Sequence, residues 1–203
     1  MPFLILLKLF LLPLIALGLL TALVPYLMKV DILILKNQMS EISLTELSQQ
    51  ALLVIGVMVF YWSAKADKKG RSFWVLVAGF LSCMLIRELD YYLDSIVHGF
   101  WVYPAVILAT ATIVYAIKNT QNLVETATSF KTTHSYFNIL MGLLIILFFS
   151  RLFGTGSLWS EIMQADYQHL YKTAIQESLE LLGYLFLAIG SVQHGLGIKK
   201  LKN

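Results

Sequence analysis

"FWVLVAGFLSCMLIRELDYYLDSIVHGFW", residues 73–101, decides the fold. Phe73 to Ile86 carries no charge, and then Arg87, Glu88, Asp90, Asp94 and His98 arrive within about three turns of helix. A run like the first half needs either a large protein core or a bilayer. The whole chain answers which: of 203 residues 58% are hydrophobic and 13% charged, where a soluble domain is about 25% charged. The reading is an all-α integral membrane protein of the inner or plasma membrane, a single transmembrane domain over 1–203. A formal charge of +3, with no basic stripe, leaves out nucleic acid as a partner. Membrane lipids, a second copy and another membrane protein are the partners it leaves open.

Outward from that stretch, apolar segments at about 3–28, 44–65, 73–97, 103–118, 135–153 and 174–193 predict a bundle of six transmembrane helices. The first is read as an uncleaved span rather than a signal peptide, because its apolar run exceeds the usual 7–15 residues. Ser43-x-x-Glu46 and Thr173-x-x-Gln176 read as capping boxes that open the second and sixth helices. Ser72 is a cap for the third, Gly99 its stop, and Pro104 belongs in the first turn of the fourth. "SLWSEIMQADYQHLYK" (157–172) places Trp159, Ile162, Met163, Tyr167 and Leu170 on one arc, which predicts a short amphipathic interface helix between helices five and six. Gly183 and Gly190 on the sixth helix permit close helix packing. Cys83 is read as a buried small hydrophobe, and His134 and His194 as polar residues at the interface.

The basic loops "KADKKGR" (65–71), Lys118 with Lys131, and "KKLKN" alternate with loops holding Asp31, Glu41, Glu46, Glu161 and Asp166. The positive-inside rule then puts both termini in the cytoplasm and the acidic ends outside.

Counting ~20 residues per span from the cytoplasmic side stops short of the outer boundary at Arg87, at Arg151, at Glu180 and Glu177, and at Gln49 and Gln50. A charge facing hydrocarbon costs at least ~2.5–3.5 kcal/mol, so these groups converge on each other or on water. The expectation is a polar pocket in the outer leaflet, open to the periplasm or exterior. Helices one and four, nearly free of charge, face lipid. At 100° per residue, Arg87, Asp90, Asp94 and His98 share a stripe of ~80° and Glu88 points away. Glu177, Glu180 and Tyr184 share another, and Asp166 falls in the apolar arc of the interface helix.

The candidate ligand- or cation-binding residues are therefore Arg87, Glu88, Asp90, Asp94, His98, Arg151, Asp166, His169, Glu177 and Glu180. Asp94-x3-His98 with Glu180 is the set that would hold a divalent metal ion as cofactor. Against that stands a purely structural reading, in which the two arginines neutralise neighbouring acids. It leaves a surplus, since Glu88, Asp90, Asp94, Glu177 and Glu180 outnumber Arg87 and Arg151 by three. The first functional expectation is a pocket that binds a cation or a polar ligand such as a lipid headgroup. The alternatives are a metal-dependent enzyme acting on a lipid or lipid-linked substrate, a small cation or proton transporter or channel, and a non-catalytic partner subunit.

Overall fold

The computed structural model describes residues 2–202, and every regular element among them is helical. Helix α1, Pro2–Lys29, runs on through a single π turn, Val30–Ile34. Then come α2, Leu44–Ala66, and α3, Arg71–Glu88. After α3 the chain makes one isolated turn, Asp90–Leu93, before α4, Val102–Lys118. Helix α5, Leu123–Lys131, is bent 109° from α4. Helix α6, His134–Leu144, continues through a π turn, Ile145–Phe149, and a last α turn, Ser150–Phe153. The short α7 is Gly156–Met163, and α8 is His169–Lys202.

Helices thus form at all six apolar segments. Four are long and apolar enough to cross a membrane: Leu7–Ile34, Leu44–Ala66, His134–Phe153 and His169–Lys199. A fifth is added if α4 and α5 are one broken span. Helix α3 is not among them, because its 18 residues include Arg71, Arg87 and Glu88. The exposed surface is what a bilayer requires: Leu9, Phe10, Leu14, Leu19 and Ile107 each leave more than 60% of their area uncovered. In water, patches of that kind would associate. Leu9, Phe10, Leu14 and Leu19 lie on α1, and α4 buries only Ala116.

The core forms around α2 and α8, with α3 packed on the former and α6 on the latter. Leu53, Phe60, Leu81, Ile146, Tyr184 and Leu187 are completely or almost completely buried between them. The α6–α8 seam depends on glycine. A Cβ at Gly183 would sit 2.8 Å from the Gly142 carbonyl oxygen, and one at Gly190 would sit 2.8 Å from that of Ser135. Small residues at this spacing let two backbones touch, which is how helices associate where no hydrophobic drive exists.

Several helix ends differ from the expected ones. Gly70, not Ser72, precedes α3, and Ser72 lies inside the helix with a buried hydroxyl. Helix α3 ends at Glu88 rather than near residue 97: the Leu89 N–H turns back to the Leu85 and Ile86 carbonyls and leaves the helical register. Gly99 does adopt a left-handed conformation, φ +80°, but in the hairpin beyond that break. The amphipathic helix stops at Met163, because Gln164 takes φ 49° and residues from His169 onward join α8. Thr173 is consequently internal to α8, and Gln176 donates to Glu180 instead of capping (3.1 Å).

Candidate functional site

One end of the bundle gathers the first turns of α2 and α8, the last turn of α3, and the end of the α6 segment. Two polar groups meet there. In the first, Arg87 and Glu88, neighbours in sequence, form an ion pair. Buried Glu88 also accepts from the Tyr184 hydroxyl (2.9 Å), while its backbone carbonyl accepts from Gln50 Nε2 (3.1 Å). Glu180, also buried, holds Arg151 Nη2 at 3.2 Å through Oε1 and faces Arg87 Nη2 at 3.9 Å through Oε2. The carboxylates are 6% and 3% exposed and the guanidiniums 38% and 46%. Acid sits inside and base at the rim.

The π turn in the α6 segment helps to aim Arg151. A π turn adds a residue to the helix and rotates everything after it. Ser150 directly follows this one and donates from Oγ back to the Ile146 carbonyl (2.5 Å).

The second group lies between α2 and α8. Glu46, buried on α2, faces Glu177 of α8 across the seam between the two helices, near enough for their charges to repel. Gln49, fully buried one helical turn after Glu46, donates from Nε2 to the Glu177 carboxylate (3.1 Å) and carbonyl (3.1 Å). Its own Oε1 has no partner among the described residues. No arginine reaches this pair. Among the described residues the four glutamates of the two groups face only Arg87 and Arg151, and both arginines are engaged by Glu88 and Glu180.

The expected residues therefore divide. Arg87, Glu88, Arg151, Glu177 and Glu180 come together. Glu88, expected to point away, is central, while Asp90 and Asp94 lie beyond the break at Leu89. They border a shallow cavity of about 540 Å³ with Glu41, Tyr91, Tyr92 and Ser95. Partial burial, reinforced by the charge of Asp90, pushes the Glu41 carboxyl above the usual carboxylate range. His98 extends into open space with Nδ1 3.3 Å from Asp94 Oδ2. Asp166 and His169 are exposed, and among the described residues His169 pairs only with Thr173 in its own helix. Asp94 and His98 are thus adjacent, but Glu180 belongs to the arginine group. No group of three His, Cys, Asp or Glu side chains among the described residues is placed to hold a metal ion.

Three features escaped the sequence reading. Glu46 makes half of its capping box, donating its N–H to Ser43 Oγ (3.2 Å), but its carboxyl turns to Glu177. The three-residue spacing of Glu46 and Gln49 on one face was the available signal. Asp31 is a fully buried clamp that accepts from Leu44 N (2.9 Å), Thr45 N (2.9 Å), Thr45 Oγ1 (2.7 Å) and Asn37 Nδ2 (2.8 Å). It serves the orphan N–H groups at the start of α2 from outside that helix. At the opposite end, His194 is buried against Phe60, Trp74 and Phe130, with ring centroids 5.1, 4.3 and 5.2 Å away. It is a core residue rather than an interfacial one.

Compared with known protein families, with curated proteins and with solved structures, the chain matches none.

Proposed function

We propose that this chain is a six-span membrane protein whose outward end carries a cation site at Glu46, Glu177 and Gln49. In this reading α3 and α4 also cross the bilayer, both termini are cytoplasmic, and the two polar groups lie in the outer leaflet. The observation that carries the proposal is the unmatched carboxyl pair. Two carboxylates held together with little water repel and lose solvation, so they need a counter-charge between them. The protein offers no guanidinium, and the unpartnered Gln49 Oε1 adds a third oxygen beside the pair. Oxygen ligands of this hard type suit a small hard cation such as Na⁺. A bound cation takes the place of the proton the pair otherwise shares, so binding one releases the other.

The arginine group supports the site instead of forming it. It fixes α3 and the α6 segment against α8, so that Glu177 is presented at a constant depth. The test is melting of the detergent-solubilised protein in NaCl against choline chloride at several pH values. At ~100 times its dissociation constant a ligand adds ~2.7 kcal/mol of apparent stability. Because the cation displaces a proton, the Na⁺-dependent rise should grow as pH increases. The double variant Glu46→Gln/Glu177→Gln should fold and melt without responding to Na⁺. A parent whose melting ignores Na⁺ at every pH excludes the site.

A further inference from the structure

At the end of the bundle away from the acids, α3 and α6 pack on α2 and α8 and leave a groove between themselves, with α5 across its end. The groove encloses about 450 Å³ and is lined by Val77 and Phe80 of α3, Phe130 of α5, and Leu140 and Leu143 of α6. That volume is within the ~300–1,000 Å³ of small-ligand sites. Phe80 is 46% exposed, so the groove opens sideways, toward the acyl chains if the helices span a bilayer. One charged group borders it. Lys131, at the end of α5, is exposed and forms no ion pair among the described residues. Tyr136 adds a hydroxyl-bearing side chain to the same lining.

From this we infer that the groove holds one acyl chain of an anionic phospholipid whose headgroup phosphate rests on Lys131. A hydrocarbon chain fits the apolar walls, and the ammonium at the polar end supplies the matching charge. Lys65, Lys68, Lys69, Arg71 and Lys118 stand at the same end of the bundle and draw anionic headgroups to it. The right-angled course of α5 closes the groove where a headgroup would otherwise continue into the protein. A zwitterionic lipid offers the same chain but no net charge for Lys131. The site is independent of the carboxyl pair at the other end.

The test uses the full chain in nanodiscs containing phosphatidylglycerol or phosphatidylcholine with a diazirine at the end of one acyl chain. After illumination, peptides covering 73–81 and 136–143 should carry the label above the level on the exposed face of α4, and phosphatidylglycerol should label them more than phosphatidylcholine. Lys131→Gln, a surface change that leaves the fold alone, should reduce the phosphatidylglycerol signal about fivefold, the equivalent of ~1 kcal/mol for one lysine. Leu140→Trp should block the groove peptides while α4 labelling persists. Groove labelling equal to that of α4 would mean bulk lipid only and would overturn the proposal. So would indifference to headgroup and to Lys131→Gln, or groove peptides left unlabelled in both lipids, which would mean that no acyl chain occupies the groove.

Discussion

Glu180 and Asp31 show how differently two buried carboxylates respond to removal. Glu180 holds two guanidiniums, but both are more than one-third exposed. Truncating one partner of a fully buried pair costs ~3–5 kcal/mol, and solvent screening of half-exposed arginines reduces this. Glu180→Gln should therefore cost about 1–2 kcal/mol and leave a folded protein. Asp31→Ala strips acceptors from four donors in a closed site, two of them backbone N–H groups. At ~1–3 kcal/mol per buried donor left unsatisfied, with some rescue by water, it should cost about 3 kcal/mol or more. Thermal melting of the two variants side by side would check the order. Asp94→Asn, at the edge of the shallow cavity, should stay within about 0.5 kcal/mol of the parent. Residue types were legible in the sequence, and Arg87, Arg151, Glu177 and Glu180 do gather at one end of the bundle. Partners were less so. Asp31 looked like a loop acid because nothing local shows that the start of α2, 13 residues on, lacks acceptors for its own N–H groups.

Two departures from ideal helix decide which elements reach the site. Phase arithmetic presumes an unbroken helix, and α3 breaks at Leu89. Once it does, the stripe linking Arg87 to Asp90 and Asp94 ceases to exist, and Glu88, the last residue of the unbroken part, is the acid that faces the core. In α8, which is unbroken, the expected stripe of Glu177, Glu180 and Tyr184 is intact, each member bonding to a neighbouring helix or to a side chain from one. The π turn before Ser150 is a second register change that sequence periodicity does not encode. Helix packing carries its own prediction. A Cβ at Gly142 would meet the Gly183 carbonyl oxygen at 2.5 Å and Leu187 N at 2.8 Å, both backbone atoms that cannot swing aside. Gly142→Ala should push α6 off α8 and lower stability by about 1–3 kcal/mol. Gly18→Ala, with nothing within 4 Å of its Cβ, should be neutral or slightly stabilising, since alanine is the better helix former. Comparing the two melting temperatures separates packing from helix propensity.

At the scale of the whole molecule, the chain places its chemistry at opposite ends. Carboxyls gather where α2 and α8 begin, while Lys65, Lys68, Lys69, Lys118 and Lys131 and the aromatic cluster around His194 occupy the other end. Composition and the six apolar segments made a helical membrane bundle readable. The number of spans was less so, because α3 ends in charges that its neighbours neutralise. The alternation of basic and acidic loops predicts an outside location for α7. In a Cys83→Ala background, cysteine at Ser160 should react with an impermeant reagent on intact cells, and cysteine at Lys69 should react only after lysis; the reverse pattern would invert the protein. The carboxyl pair itself is tested most directly by protons. In weakly buffered detergent solution near neutral pH, adding NaCl to the parent should release up to one proton per chain, saturably, while choline chloride should release none. Glu46→Gln/Glu177→Gln should release none with either salt. Equal release from parent and double variant, or no release from the parent at any pH where it is folded, would contradict a cation site at Glu46 and Glu177.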